Sequence, residues 1–91
     1  MSAGGQGGHE RDSDRLVKET EYLRIYDTGP TESGKTWTWA VANRKSGGVL
    51  GQIRWYPPWR RYCYFPRGGT VLSAGCMRDV VRFITRRMQE R

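Results

Sequence analysis

The chain is 91 residues long, with sixteen Lys and Arg against nine Asp and Glu, a net charge of +7 and a single histidine. A chain of this length holds one domain, and at this size folding buries only about 60% of the unfolded surface, so one small core is expected. No apolar run approaches the roughly 20 residues of a membrane-spanning helix, and the N-terminus lacks a signal peptide's basic-then-apolar layout, so a cytoplasmic protein without a membrane partner is expected.

The charge is unevenly placed. Residues 1–34 carry four basic and seven acidic side chains, net −3, whereas residues 35–91 carry twelve basic and two acidic ones (Asp79 and Glu90), net +10. A field of that sign draws nucleic acid or another acidic surface to the larger part of the chain.

Met1 to Gly8 is rich in Gly, Ser and Gln, and His9 to Arg15 is wholly polar. Such a segment buries too little to offset its ordering entropy, so residues 1–15 are read as a disordered tail and residues 16–91 as the domain. Around Glu21–Tyr26 the chain alternates, with Tyr22, Arg24 and Tyr26 on one side and Leu23 and Ile25 on the other. This reads as a first strand, closed by a turn at Asp27-Thr28-Gly29-Pro30.

Gly29 to Thr36, G-P-T-E-S-G-K-T, matches the phosphate-cradling G-x-x-x-x-G-K-[ST] loop. That chemistry needs a helix directly after the loop, so that free amides and the helix dipole meet phosphate. The following residues, W-T-W-A-V, alternate as a strand does. The match is therefore read as a loop between two strands, and nucleotide binding is not expected.

Thr36–Asn43 places Trp37, Trp39 and Val41 on one face, and Arg44-Lys45-Ser46-Gly47-Gly48 forms a basic turn. Val49–Tyr56 follows with Ile53 and Trp55 opposite Gln52, Arg54 and Tyr56. Pro57-Pro58 belongs in a turn, because proline cannot donate to a ladder. Arg60–Phe65 then sets Cys63 and Phe65 against Tyr62 and Tyr64, before a turn at Pro66–Gly69 and a short extended Thr70-Val71-Leu72. Ser73 suits an N-cap. The helix it opens, about Ala74–Gln89, has Met77, Val80, Val81, Ile84 and Met88 at helical spacing, with an arginine stripe at Arg78, Arg82 and Arg86.

These elements predict an α+β domain: a three- to four-stranded antiparallel meander with one C-terminal helix packed on one face. The helix-facing side is expected to hold Trp37, Trp39, Val41, Ile53, Trp55 and Phe65. The outer side is expected to hold Gln52, Arg54, Tyr56, Tyr62 and Tyr64.

Catalysis has little to work with. The only histidine, His9, lies in the tail, so neither a histidine base nor a four-ligand zinc site can be assembled, and no metal or cofactor is expected. Cys63 and Cys76 suffice for one disulfide, but reduced thiols are the expectation for a cytoplasmic protein. Cys76 at a helix start has the setting of an activated thiol; a small buried apolar side chain is the plainer reading. An enzyme is not expected.

Leu50–Arg67, L-G-Q-I-R-W-Y-P-P-W-R-R-Y-C-Y-F-P-R, is the densest stretch, with six of the eleven aromatic residues and four arginines uninterrupted by an acid. Tyrosines stack bases and arginines pair with phosphates, which points to nucleic-acid binding, DNA or RNA, through Arg54, Tyr56, Arg60, Arg61, Tyr62 and Tyr64. Arg44 and Lys45 in the turn and Arg78, Arg82 and Arg86 on the helix extend the candidate phosphate contacts. Cross-strand Tyr and Arg pairs also stabilise any exposed sheet, and Trp, Tyr and Arg dominate protein–protein hot spots, so a protein-interaction module is the alternative.

The run L-G-Q-I-R-W-Y-P-P-W-R-R-Y-C-Y-F-P, followed by T-V-L-S-A-G-C-M-R-D-V-V-R-F-I, resembles small proteins of phage and prophage genomes. That group shares an L-G-x-I-x-W-Y-x-x-W-R-x-Y-x-F-x-P core and a helix opened by Cys-x-x-Asp, here Cys76 and Asp79, and the resemblance spans roughly residues 37–84. It implies a phage setting, in which a small basic protein binds nucleic acid or docks as inhibitor or adaptor on an acidic host protein, and it carries no activity over.

Overall fold

The computed structural model describes residues 14–91. The strands are β1 (Arg15–Glu19), β2 (Leu23–Pro30), β3 (Trp37–Asn43), β4 (Val49–Tyr56) and β5 (Arg61–Pro66), followed by a helix, α1 (Ala74–Gln89). The five strands form one sheet in sequence order, antiparallel throughout, and α1 lies across one face. The α+β meander with a C-terminal helix agrees with the sequence reading, but the sheet has five strands rather than three or four.

The additional strand is β1. Every one of its five residues is exposed, so it carries no apolar alternation for a sequence pattern to reveal. Backbone pairing to β2 holds it, aided by Glu19 against Arg24 and, more loosely, Arg15 against Asp27 at 3.9 Å. Arg15, assigned to the tail, opens this strand. The rest of the expected tail, apart from Asp14, lies outside the described residues.

The first turn is also displaced. Asp27–Pro30 continues β2 through a bulge between Asp27 and Gly29, with Gly29 at φ 96°, where a glycine avoids the usual Cβ penalty. Asp27 braces this bulge. Its Oδ1 accepts from the Gly29 amide at 2.8 Å and from Trp37 Nε1 at 2.6 Å, tying β2 to β3.

The core lies between sheet and helix. Leu23 and Ile25 from β2, Trp39 and Val41 from β3, Ile53 from β4 and Tyr62 from β5 meet Cys76, Val80 and Phe83 of α1. Four aromatic rings run through it edge to face: Trp55 on Tyr62, Tyr62 on Trp39, and Trp39 on Phe83, each at 5.2 Å. Such contacts add about 0.5–1.5 kcal/mol per pair beyond area burial.

The face of β5 is the reverse of the expected one. Tyr62 is 6% exposed and pairs with Trp55, and Tyr64 pairs with Ile53; both point to the helix side, while Cys63 and Phe65 share the outer side with Arg54 and Gln52. The cause is the β4–β5 connection. Pro57–Trp59 forms a single 3-10 turn closed by Arg60 in the left-handed region, so Tyr56 pairs with Arg61. That even-numbered loop matches odd positions on β4 with even positions on β5. In an element of period two, one residue of register exchanges the faces.

The helix matches its expected bounds, and Ser73 caps it, accepting the Cys76 amide at 3.2 Å. Its buried face is rotated from the expected one. Cys76, Val80 and Phe83 are buried, whereas Met77 and Val81 are 51% and 59% exposed. Close contact at the helix start depends on Gly75, where a Cβ would come within 2.6 Å of the Tyr22 ring.

Candidate nucleic-acid interface

With α1 on one face, no element among the described residues covers the other face of the sheet. Alternation along the strands puts Arg24 and Tyr26 of β2, Thr38 and Ala40 of β3, Gln52, Arg54 and Tyr56 of β4, and Arg61, Cys63 and Phe65 of β5 on that side. The register aligns Tyr26, Ala40, Gln52 and Phe65 across the sheet. Tyr26 and Phe65 therefore stand about 14 Å apart, three strand spacings, with the small Ala40 and the polar Gln52 between them.

The densest part of this face is over β4 and β5. Trp59 at the turn is 65% exposed and meets Tyr56 edge to face at 5.1 Å. Tyr56 meets Phe65 at 5.9 Å, and the Arg54 guanidinium carbon lies over the Phe65 ring, 3.6 Å from its centre. The result is a continuous row, Trp59–Tyr56–Phe65–Arg54, on the uncovered side. Arg54 takes part in no ion pair among the described residues. At the same end Arg61 continues the face, its Nε donating to the Trp59 carbonyl at 3.3 Å, and Arg60 occupies the turn.

The structure divides the sequence-derived residues into separate groups. Arg54, Tyr56, Arg60 and Arg61 fall together on the outer face and its adjoining turn. Tyr62 and Tyr64 leave that group for the helix side. Tyr62 is a core residue, and Tyr64 is half-buried with its hydroxyl fully enclosed and without a hydrogen-bond partner. Burial accordingly pushes the Tyr64 pKa upward, with the nearby Cys76 thiol adding to the shift.

Arg44 and Lys45 sit in the β3–β4 turn at the opposite end of the sheet. Glu19 engages Arg44: Arg24 Nε and Arg44 Nε both reach Glu19 Oε2 at 3.0 Å. The carboxylate raises the Arg24 pKa, so this guanidinium stays charged. Arg78, Arg82 and Arg86 are exposed on α1 and line a groove against β1, on the side of the molecule away from the Arg54 row.

Phe65 and Trp59 were missing from the sequence-derived set. Phe65 was obscured by the parity of the proline turn, and Trp59 lies in that turn, where strand alternation gives no face. A Pro-Pro-Trp-Arg tetrad read as a one-turn 3-10 helix would have located both. Arg87 and Arg91 were also missed. Their guanidiniums lie 4.9 Å from the Phe83 ring centre and 4.1 Å from that of Trp55, closing the core at the helix C-terminus.

The phosphate-loop match has the wrong local structure for that chemistry. Thr31 and Thr36 close the loop, amide to carbonyl at 2.9 Å and hydroxyl to hydroxyl at 3.0 Å, and the Lys35 amide donates to Ser33 Oγ. The chain then enters β3 rather than a helix. Both cysteines are free thiols, Cys63 on the outer face and Cys76 on α1, and no cluster of metal-ligating side chains occurs among the described residues. No helix among them is long and apolar enough to cross a membrane. The chain matches no protein-family model, no curated protein and no solved structure.

Proposed function

We propose that the protein binds nucleic acid, without catalysis, through the uncovered face of β4 and β5. The observation that carries this reading is the row Trp59–Tyr56–Phe65–Arg54, a run of stacking groups ending in an arginine on a part of the chain that carries net +10. Aromatic rings take bases without regard to sequence, and base–aromatic stacking contributes about 1–3 kcal/mol per base. Arg54, already seated over the Phe65 ring, offers its N–H groups to phosphate and its guanidinium to a base.

A row of rings on an open sheet suits unstacked bases, so a single strand is the favoured form. Arg60 and Arg61 extend the row with phosphate contacts at the turn. The helix stripe faces away and is not part of this surface.

The test is a titration with labelled single- and double-stranded oligonucleotides at two salt concentrations, followed by anisotropy and tryptophan fluorescence. The expected result is salt-sensitive binding that prefers the single strand and quenches tryptophan. Arg54→Ala should weaken it and reduce the slope of log affinity against log salt by about one. Weak binding indifferent to strand form, or an Arg54→Ala variant with unchanged affinity, would remove this face as the site.

A further inference from the structure

We infer a second interaction surface, independent of the sheet face: the open edge of β1 and the groove beside it accept an extended acidic peptide as a sixth strand.

The two edges of the sheet differ. On β5 the outward-pointing amides belong to the alternate set that includes Tyr62. The Tyr62 amide donates to Met88 Sδ at 3.4 Å, and Pro66 in the same set has no N–H to offer. The helix C-terminus and a proline thus blunt that edge. On β1 no element among the described residues covers the outer side, and all five of its residues are exposed, Leu16 and Val17 among them. Unpaired edge backbone of this kind is the template for strand addition.

Beside that edge, β1 and α1 enclose a groove of about 940 Å³ whose walls include Val17, Lys18, Val81, Arg78, Arg82 and Arg86. Neither Lys18 nor the three arginines has an ion-pair partner among the described residues. Of the groove's charges, Glu19 is already held by Arg24 and Arg44, and Arg87 by Glu90, which leaves Glu21 and Asp79 against four cations. The groove therefore favours an anionic occupant.

Its geometry suits an extended chain. Arginines four apart on a helix recur about every 6 Å along the axis. Alternate side chains of a strand recur about every 6.6–6.8 Å. A peptide paired to β1 with acids at every second position would meet Arg78, Arg82 and Arg86 in turn, its backbone amides taken by β1. A second copy of this chain is disfavoured, because pairing through β1 with both helices on one face would set two arginine stripes against each other.

The experiment uses the full chain and a fluorescein-labelled peptide of alternating valine and glutamate, read by anisotropy. Three companions are measured alongside it: the same peptide with lysine for glutamate, the peptide N-methylated at the alternate amides of one edge, and the peptide methylated at those of the other. Binding is expected for the glutamate peptide alone and for one of the two methylated forms, with the other methylated form and the lysine peptide failing. Arg82→Glu should weaken the glutamate peptide by about tenfold or more, the effect of reversing a charge at a contact, and leave the salt slope of oligonucleotide binding unchanged. Equal binding of both methylated peptides would show attraction without strand pairing and overturn the proposal. So would an Arg82→Glu variant that binds the peptide normally but loses the oligonucleotide, or a chain already dimeric through β1 that takes no peptide.

Discussion

Tyr64 shows how one side chain can be at odds with its surroundings. Its ring crosses the sheet over Gly51, where a Cβ would come within 2.6 Å of both the ring and the Phe65 carbonyl, so the site accepts only glycine without rearrangement. The hydroxyl then ends in an enclosed position without a partner. A buried, unsatisfied polar group costs about 1–3 kcal/mol, so Tyr64→Phe is expected to leave stability unchanged or raise it by about 1 kcal/mol in urea unfolding. The pH dependence has a definite sign. Because the folded pKa lies above the ordinary tyrosine value, the folded state holds this proton more tightly than the unfolded chain. Stability from that difference is present below about pH 10 and is lost as pH rises through the folded value. Tyr64→Phe should therefore unfold less readily than the parent above about pH 10, and identical alkaline unfolding of the two proteins would contradict this account.

At the scale of elements, the β4–β5 hairpin shows what the sequence makes legible and what it does not. Trp39, Val41, Ile53 and Trp55 were assignable to the helix side from alternation alone, because each strand's own period fixes its internal pattern. The relation between neighbouring strands is fixed by the turn, and a Pro-Pro turn leaves the loop length open by one. That single residue decided whether Tyr62 or Phe65 was buried. Strand β1 was illegible for a different reason: it is held by backbone pairing and exposed charges, which leave no period in the side chains. The α1 bounds were legible because Ser73 and the apolar spacing act locally, whereas its buried face depended on Phe83 meeting Trp39. The hairpin assignment has a direct test. Tyr62→Ala should cost about 3–5 kcal/mol as a buried aromatic deletion. Phe65→Ala should cost clearly less and instead reduce oligonucleotide binding. Comparable stability losses, measured by denaturant midpoints, would mean that the outer row is structural rather than available for a ligand.

For the whole molecule, the central question is whether its positive charge acts by contact or only as a field. The uncovered sheet face and the arginine stripe lie on opposite sides of a two-layer stack. The helix alone is about 10–12 Å across with its side chains, more than the roughly 8 Å Debye length at physiological ionic strength. Reversing Arg78, Arg82 and Arg86 together to glutamate shifts the net charge from +7 by six units, to +1, without touching the Arg54 row. Long-range steering should weaken, so the association rate for an oligonucleotide at low salt should fall. The slope of log affinity against log salt counts phosphates in contact, and none is lost on the sheet face, so that slope should stay as it was. Arg54→Ala makes the opposite pair of changes: one unit of charge removed, little change in steering, and a slope lower by about one. Measuring both variants in one salt series separates the two roles. A slope that fell with the stripe reversal and held with Arg54→Ala would move the nucleic-acid contact to the helix side. It would also leave the aromatic row of β4 and β5 without the ligand assigned to it.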